Sequence, residues 1–137
     1  MSPVIDQAVQ AGLITSESDV LKVKAVLRYD AGDPLAVRMC FPPKASLVGS
    51  EVSWIFGRDL LAAGLGSPAG DGDVHVRPHG EDETVLEFHA SVGTAMVRVR
   101  TAELSRFLRR SYACVPAGRE GLHLDLDGDL AALLREA

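Results

Sequence analysis

Aromatic side chains are scarce in this 137-residue chain, which has one Trp, two Tyr and four Phe. Its core must be mainly aliphatic, and a base-stacking surface, which needs several exposed rings, has little to draw on. Cysteine is scarcer still: Cys40 and Cys114 are far apart and show no C-x-x-C spacing. That excludes the common redox and zinc-ribbon patterns, and two reduced, packed thiols are expected. There is no basic excess either, because 19 acidic residues face 14 Lys and Arg and the net charge is −5. Such a field repels a polyanion at long range. No apolar run approaches the roughly 20 residues of a membrane-spanning helix. The opening MSPVIDQAVQAGLITSESD has neither a basic nor an apolar leader region. A cytoplasmic protein with no direct membrane insertion is expected.

What is present fits one globular domain. A chain of this length buries roughly two-thirds of its unfolded surface, and 47% of its residues are hydrophobic. Residues 1–19 are expected to form a partly disordered N-terminal segment, ahead of a single domain over 20–137. From Val20 to Tyr29 the odd positions Leu21, Val23, Ala25, Leu27 and Tyr29 are apolar, with Lys22, Lys24 and Arg28 between them. This period of two predicts a half-buried strand. Asp30-Ala31-Gly32-Asp33-Pro34 supplies a corner, with Gly32 as its left-handed residue. Leu35, Val37, Met39 and Phe41 then alternate as a second strand, which Pro42-Pro43 ends.

A third strand over Glu51–Phe56 points Val52, Trp54 and Phe56 inward. A helix over Arg58–Leu65 follows, with Asp59 favouring its dipole and Gly64 or Gly66 as left-handed cap. Strands are expected at Asp73–Arg77, Thr84–Ser91 and Ala95–Arg100. A second helix begins at Thr101, and a last one covers Gly128–Glu136. The order is β-β-β-α twice plus a C-terminal helix, an α+β fold of mainly antiparallel sheets covered by helices.

No residue pattern here makes a catalytic, metal or cofactor site. His75 and His79 share a strand face but stand about 13 Å apart, too far to share a metal; only His89 can approach one of them. Asp125, Asp127, Asp129 and Glu136 outline a calcium loop, but its sixth position is Leu130 instead of the required Gly. The glycines 64, 66 and 70 follow a helix instead of opening one, unlike a phosphate loop. Ser67 lacks a G-x-S-x-G elbow. The densest basic set is Arg98, Arg100, Arg106, Arg109 and Arg110, read as a solvated face paired to acids such as Glu103. No aromatic stands among them as a stacking platform.

The wording LRYxxGDPxAVRMxF, W-x-F-G-R-D-L-L-x-x-G-L and SPxGDGDVHV, between Val26 and Val76, resembles the SsgA-like family of actinomycete sporulation and cell-division proteins. F-L-R-R and H-x-D-L-D-G-D-L extend the likeness toward the end of the chain. The resemblance implies a sheet-rich subunit similar to the Whirly proteins, assembled as a homotrimer. It implies a non-enzymatic adaptor that helps to position or activate the tubulin-like GTPase FtsZ at septa. Division proteins such as FtsZ and other SsgA-like proteins are then the expected partners, and nucleic acid is not. The competing reading is a Whirly-like module that binds single-stranded nucleic acid.

The candidate interaction residues are Arg58, Asp59 and Asp73, the most distinctive polar positions of the family-like stretch. There a helix terminus beside a Gly-rich turn offers charge and backbone donors. Leu47 and Val48 join them as aliphatics in a loop that would otherwise run in water.

Overall fold

The computed structural model describes residues 3–16, 18–43, 49–91 and 93–122. Its strands are β1 (Val4–Ile14), β2 (Val20–Asp30), β3 (Ala36–Phe41), β4 (Val52–Gly57), β5 (Val74–His79), β6 (Glu83–Ala90) and β7 (Gly93–Arg100). Helix α1 (Arg58–Gly64) joins β4 to β5, α2 (Thr101–Cys114) follows β7, and a short 3₁₀ turn covers Glu120–Leu122. The seven strands make one sheet in the order β4-β3-β2-β1-β7-β6-β5, with every pairing antiparallel. The antiparallel α+β expectation holds. Its unit count does not: four strands precede α1 and three precede α2. The helix expected at Gly128–Glu136 lies outside the described residues.

The extra strand is β1, inside the stretch expected to be partly disordered. It occupies the middle of the sheet. Ile5, Val9 and Ala11 are buried on its inner face, but Gln7 breaks the apolar alternation and hides the strand in the sequence. α2 satisfies that glutamine. Its Nε2 donates to the Glu103 carbonyl at 2.9 Å, and its Oε1 accepts from Arg110 at 3.1 Å. On the outer face, Asp6 pairs with Arg28 at 2.7 Å, and that guanidinium holds the Asp6 carboxyl below its usual range.

β1 pairs with β2 from Val4↔Asp30 to Ile14↔Val20. With β7 it pairs only from Ala11↔Val99 to Ile14↔Met96. The sheet is strongly curled about this shared strand. Trp54 of β4 stacks 5.0 Å from Phe88 of β6, and Phe41 and Phe56 approach the same ring at 5.9 and 6.0 Å. In a flat sheet β4 and β6 would be about 24 Å apart at ~4.8 Å per strand. Trp54 therefore serves the core. α2 fills the remaining inner space with buried Leu104, Phe107 and Leu108, and α1 adds Leu61.

Three glycines act differently from expectation. Gly32 does not have a positive φ; the corner closes instead when Asp30 Oδ1 accepts the Gly32 N–H at 2.8 Å. Neither Gly64 nor Gly66 is left-handed, and α1 ends on Leu65 in right-handed conformation. Gly64 is needed for contact, since a Cβ there would meet Val76 Cγ1 at 2.3 Å. The left-handed residue is Gly70, with φ 108°. It turns the connector so that Ala69 and Val76 exchange backbone bonds of 2.8 and 2.9 Å, which shields the open edge of β5.

Gly64→Ala is expected to lower stability by about 1–3 kcal/mol through overpacking. Gly66→Ala, whose new Cβ meets nothing nearer than the Ala63 carbonyl at 3.9 Å, should stay within about 0.5 kcal/mol. Urea unfolding of the two variants checks the contrast.

Candidate functional site

The hairpin corner, the start of α1 and the end of α2 meet around Arg58. Its backbone N–H donates to the Leu35 carbonyl at 2.8 Å, which fastens α1 to the corner. The Tyr29 hydroxyl donates to the Pro34 carbonyl at 2.9 Å from the other side. The Arg58 side chain then runs inward with only 1% of its surface exposed. Its guanidinium lies 4.2 Å from the Tyr112 ring centre and 5.1 Å from that of Tyr29. Nη1 donates to the carbonyls of Ser111 at 3.2 Å and Val115 at 2.8 Å. Nη2 pairs with the Glu120 carboxylate at 2.8 Å.

These contacts identify what the arginine does. Past the Val115 N–H, which reaches the Ser111 carbonyl at 2.9 Å, α2 has no further turn to satisfy its last carbonyls, and it has no basic residue in its last turn. Arg58 supplies donors and positive charge at that negative end. Burial pushes both tyrosine phenols above their usual range. Hydrogen bonds from its own backbone and from Arg58 hold the Glu120 carboxyl below its usual range.

The structure therefore corrects the reading of Arg58 as an accessible interaction residue: it is a buried tie between elements. Asp59 is exposed in the first turn of α1. Asp73 is exposed just before β5, where its carbonyl accepts the His89 N–H at 2.8 Å. Leu47 and Val48 lie outside the described residues. Tyr29, Tyr112 and Glu120, the partners of Arg58, escaped the sequence reading. They stand 29 to 62 positions away, and no local pattern joins them.

On the outer face of β5 and β6, His75 and His89 do approach each other, with ring centres 5.0 Å apart. Glu87 beside them is engaged by Arg77. No three metal-ligating side chains gather among the described residues. Cys40 and Cys114 are free and half-buried. Arg98 pairs with Glu83 at 3.2 Å, while Arg100, Arg106, Arg109 and Arg110 are exposed. Their neighbouring rings are committed elsewhere: Phe107 is buried in the core and Tyr112 covers Arg58. No described helix is long and apolar enough to cross a membrane.

The family described as Streptomyces sporulation and cell division protein, SsgA, matches residues 23–120. This chain belongs to the SsgA family. It is 38% identical to the sporulation-specific cell division protein SsgB of Streptomyces coelicolor, over the whole of both chains. It is 43% identical to SsgB of Salinispora tropica, over 89% of this chain and 87% of that one. Among solved structures, the SsgA-like sporulation-specific cell division protein from Thermobifida fusca superposes with a TM-score of 0.82 at 32% identity, covering 96% of each chain.

Within this SsgA-family fold, the pieces of family wording meet in space: Tyr29 and Pro34 of the corner close on Arg58 of the G-R-D sequence. Removing the arginine would take the charged donor from Glu120 and from the Val115 carbonyl, while the Ser111 carbonyl would keep only the Val115 N–H at 2.9 Å. Arg58→Met should cost about 3–5 kcal/mol, the range for breaking a buried pair, and Arg58→Lys should not restore it, because one ammonium cannot copy the planar fork. Glu120 adds a pH dependence of known sign. A depressed carboxyl stabilises the fold above its unfolded pKa and loses that contribution as pH falls through the lower folded value. Urea melts of wild type and Arg58→Met from pH 7 down to pH 3 should show a larger acid-side loss in wild type, because the variant keeps the backbone hydrogen bonds to Glu120 and loses only the Arg58 contribution.

Proposed function

We propose that this chain is a non-enzymatic adaptor in sporulation-specific cell division, recruited from the cytoplasm to septa, where it helps to position or activate FtsZ. The observation that carries this reading is the similarity to S. coelicolor SsgB across the whole length of both chains, supported by the superposition on the T. fusca protein. Both relatives are named sporulation-specific cell division proteins. Other SsgA-like proteins belong among the partners.

Asp59 and Asp73 remain the proposed contact residues, since both are exposed charges beside α1 and its connector. Leu47 and Val48 are proposed on their sequence setting alone. A homotrimer is part of the same reading, as is the Whirly-like relationship of the sheet. β4 supports self-association: it ends the sheet with a strand edge unpaired among the described residues, and its Ile55 is 56% exposed. Open edges of this kind template pairing with another chain.

A fluorescent fusion expressed in sporulating hyphae is expected at septa, and the purified chain should co-sediment with polymerised FtsZ. Asp59→Lys with Asp73→Lys should reduce both, with only the small loss of stability expected when a cation replaces Asp59 in the first turn of α1. Light scattering should report three copies of the 14.6 kDa chain. Diffuse fluorescence together with no co-sedimentation would sink the adaptor reading, and a monomer mass would remove the trimer.

A further inference from the structure

Part of β2 is bonded on one side only. Its pairing with β1 runs without a break from Val4↔Asp30 to Ile14↔Val20. Just past the two ends, the Thr15 N–H donates to the Asp19 carbonyl at 3.0 Å and the Ala31 N–H to the Pro3 carbonyl at 2.9 Å. Both contacts continue the register on odd-numbered residues. The odd residues of β2 therefore exchange hydrogen bonds with β1, and the even ones turn their N–H and C=O groups the other way. β3 takes up that side at Val26 and Arg28, opposite Cys40 and Arg38. The next bonded pair would bring Pro42 to Lys24, and a proline has no N–H for the Lys24 carbonyl. The ladder stops there. Among the described residues nothing pairs with the outward backbone groups of Val20, Lys22 and Lys24.

The two faces of this open edge differ. Val23 is buried in the core, while Leu21 on the same face is 46% exposed. Lys22 and Lys24 are exposed on the other face, where Lys22 is level with Arg98 across Gly12. Neither lysine has an ion-pair partner among the described residues. A strand laid along the edge would set some residues opposite the lysines and the alternate ones beside Leu21 and Val23. A second copy suits the edge poorly. Antiparallel pairing of two such edges over their full length puts the two copies of Lys22 directly opposite each other, a like-charge clash.

We propose that the open edge of β2, from Val20 to Lys24, takes an extended segment of a partner protein as an added strand, with acidic residues opposite the lysines and apolar ones beside Leu21 and Val23. The backbone decides the class of ligand. N–H and C=O groups that alternate along an edge are matched by another peptide backbone. A phosphodiester or a free anion meets the lysines but supplies no donor for the carbonyls. The proposal rests on the adaptor reading and gives that partner a chemistry.

The test uses the purified full chain and a labelled peptide of about eight residues alternating Glu and Val, roughly 27 Å when extended. Its Gln/Val counterpart and an oligothymidylate of equal charge are controls. Two further controls are the acidic peptide N-methylated at every Glu or at every Val. Alternate amides of a strand face the same side, so one methylated form loses its donors to the edge and keeps its charge. By anisotropy at ~0.15 M salt, that form, the Gln/Val peptide and the oligothymidylate should each bind at least about tenfold more weakly than the parent.

Hydrogen exchange locates the contact. In the complex the Val20, Lys22 and Lys24 amides should exchange at least about tenfold more slowly, while those of Leu21 and Val23, already bonded to β1, change little. Lys22→Glu with Lys24→Glu should lose the acidic peptide and gain its Lys/Val counterpart, an exchange of preference that an unfolded variant would not show. No binding of the acidic peptide, binding by both methylated forms as tight as the parent's, or a preference for oligothymidylate overturns the proposal. So does slow exchange of the same amides in the free chain, which would mean that the edge is already covered. The assay contains no division protein, so a failed edge alongside intact septal localisation refutes the edge alone.

Discussion

A full positive charge at Arg58, with 1% of its surface in contact with solvent, is the constraint to which much of the remaining structure answers. Withdrawing such an ion from water costs several kcal/mol even after relaxation. It is offset where the surroundings of the guanidinium favour charge. Here two aromatic rings, two carbonyls at the end of α2 and the Glu120 carboxylate engage its face and both terminal nitrogens, while the buried Nε has no acceptor among the described residues. The geometry is mutually exacting. The corner has to bring the Tyr29 ring to the guanidinium, and α2 has to run long enough to bring Tyr112 there as well. The chain beyond α2 must also turn back for Glu120 to arrive.

The curl of the sheet is the second condition, and it depends on β1. This strand gives its full length to β2 but only its last residues to β7. The halves on either side can therefore rotate toward each other. Aromatic contacts between β4, β3 and Phe88 of β6 record the result. Where β1 and β7 separate, α2 takes over the pairing role with side chains: Gln7 accepts from Arg110 and donates to the Glu103 carbonyl. One polar residue on a buried face thus replaces a missing stretch of sheet ladder.

That substitution explains which parts of the fold were legible in the sequence. β2, β3 and β5 follow simple alternation, and α1 is bounded to within a residue, because each element's signal lies inside the element itself. β1 was missed because Gln7 violates the alternation for a tertiary reason supplied by α2. Gly64 was assigned a cap because a glycine near a helix end usually serves as one; its real constraint, Val76, sits on another element. The same blindness placed Arg58 on the surface. A charged residue at a helix start is ordinarily solvated, and its partners lie too far along the chain to announce themselves. The exposed candidates Asp59 and Asp73 were readable, because a solvated charge depends little on distant residues.

The arginines illustrate the principle from the opposite direction. Arg98, Arg100, Arg106, Arg109 and Arg110 are grouped in sequence, yet the fold gives them separate surroundings. Arg98 lies against Glu83 and Arg110 holds Gln7, while Arg100 faces the fork between β1 and β7. What a charge contributes is decided by desolvation and by the alignment of its partners, and neither is a property of spacing along the chain.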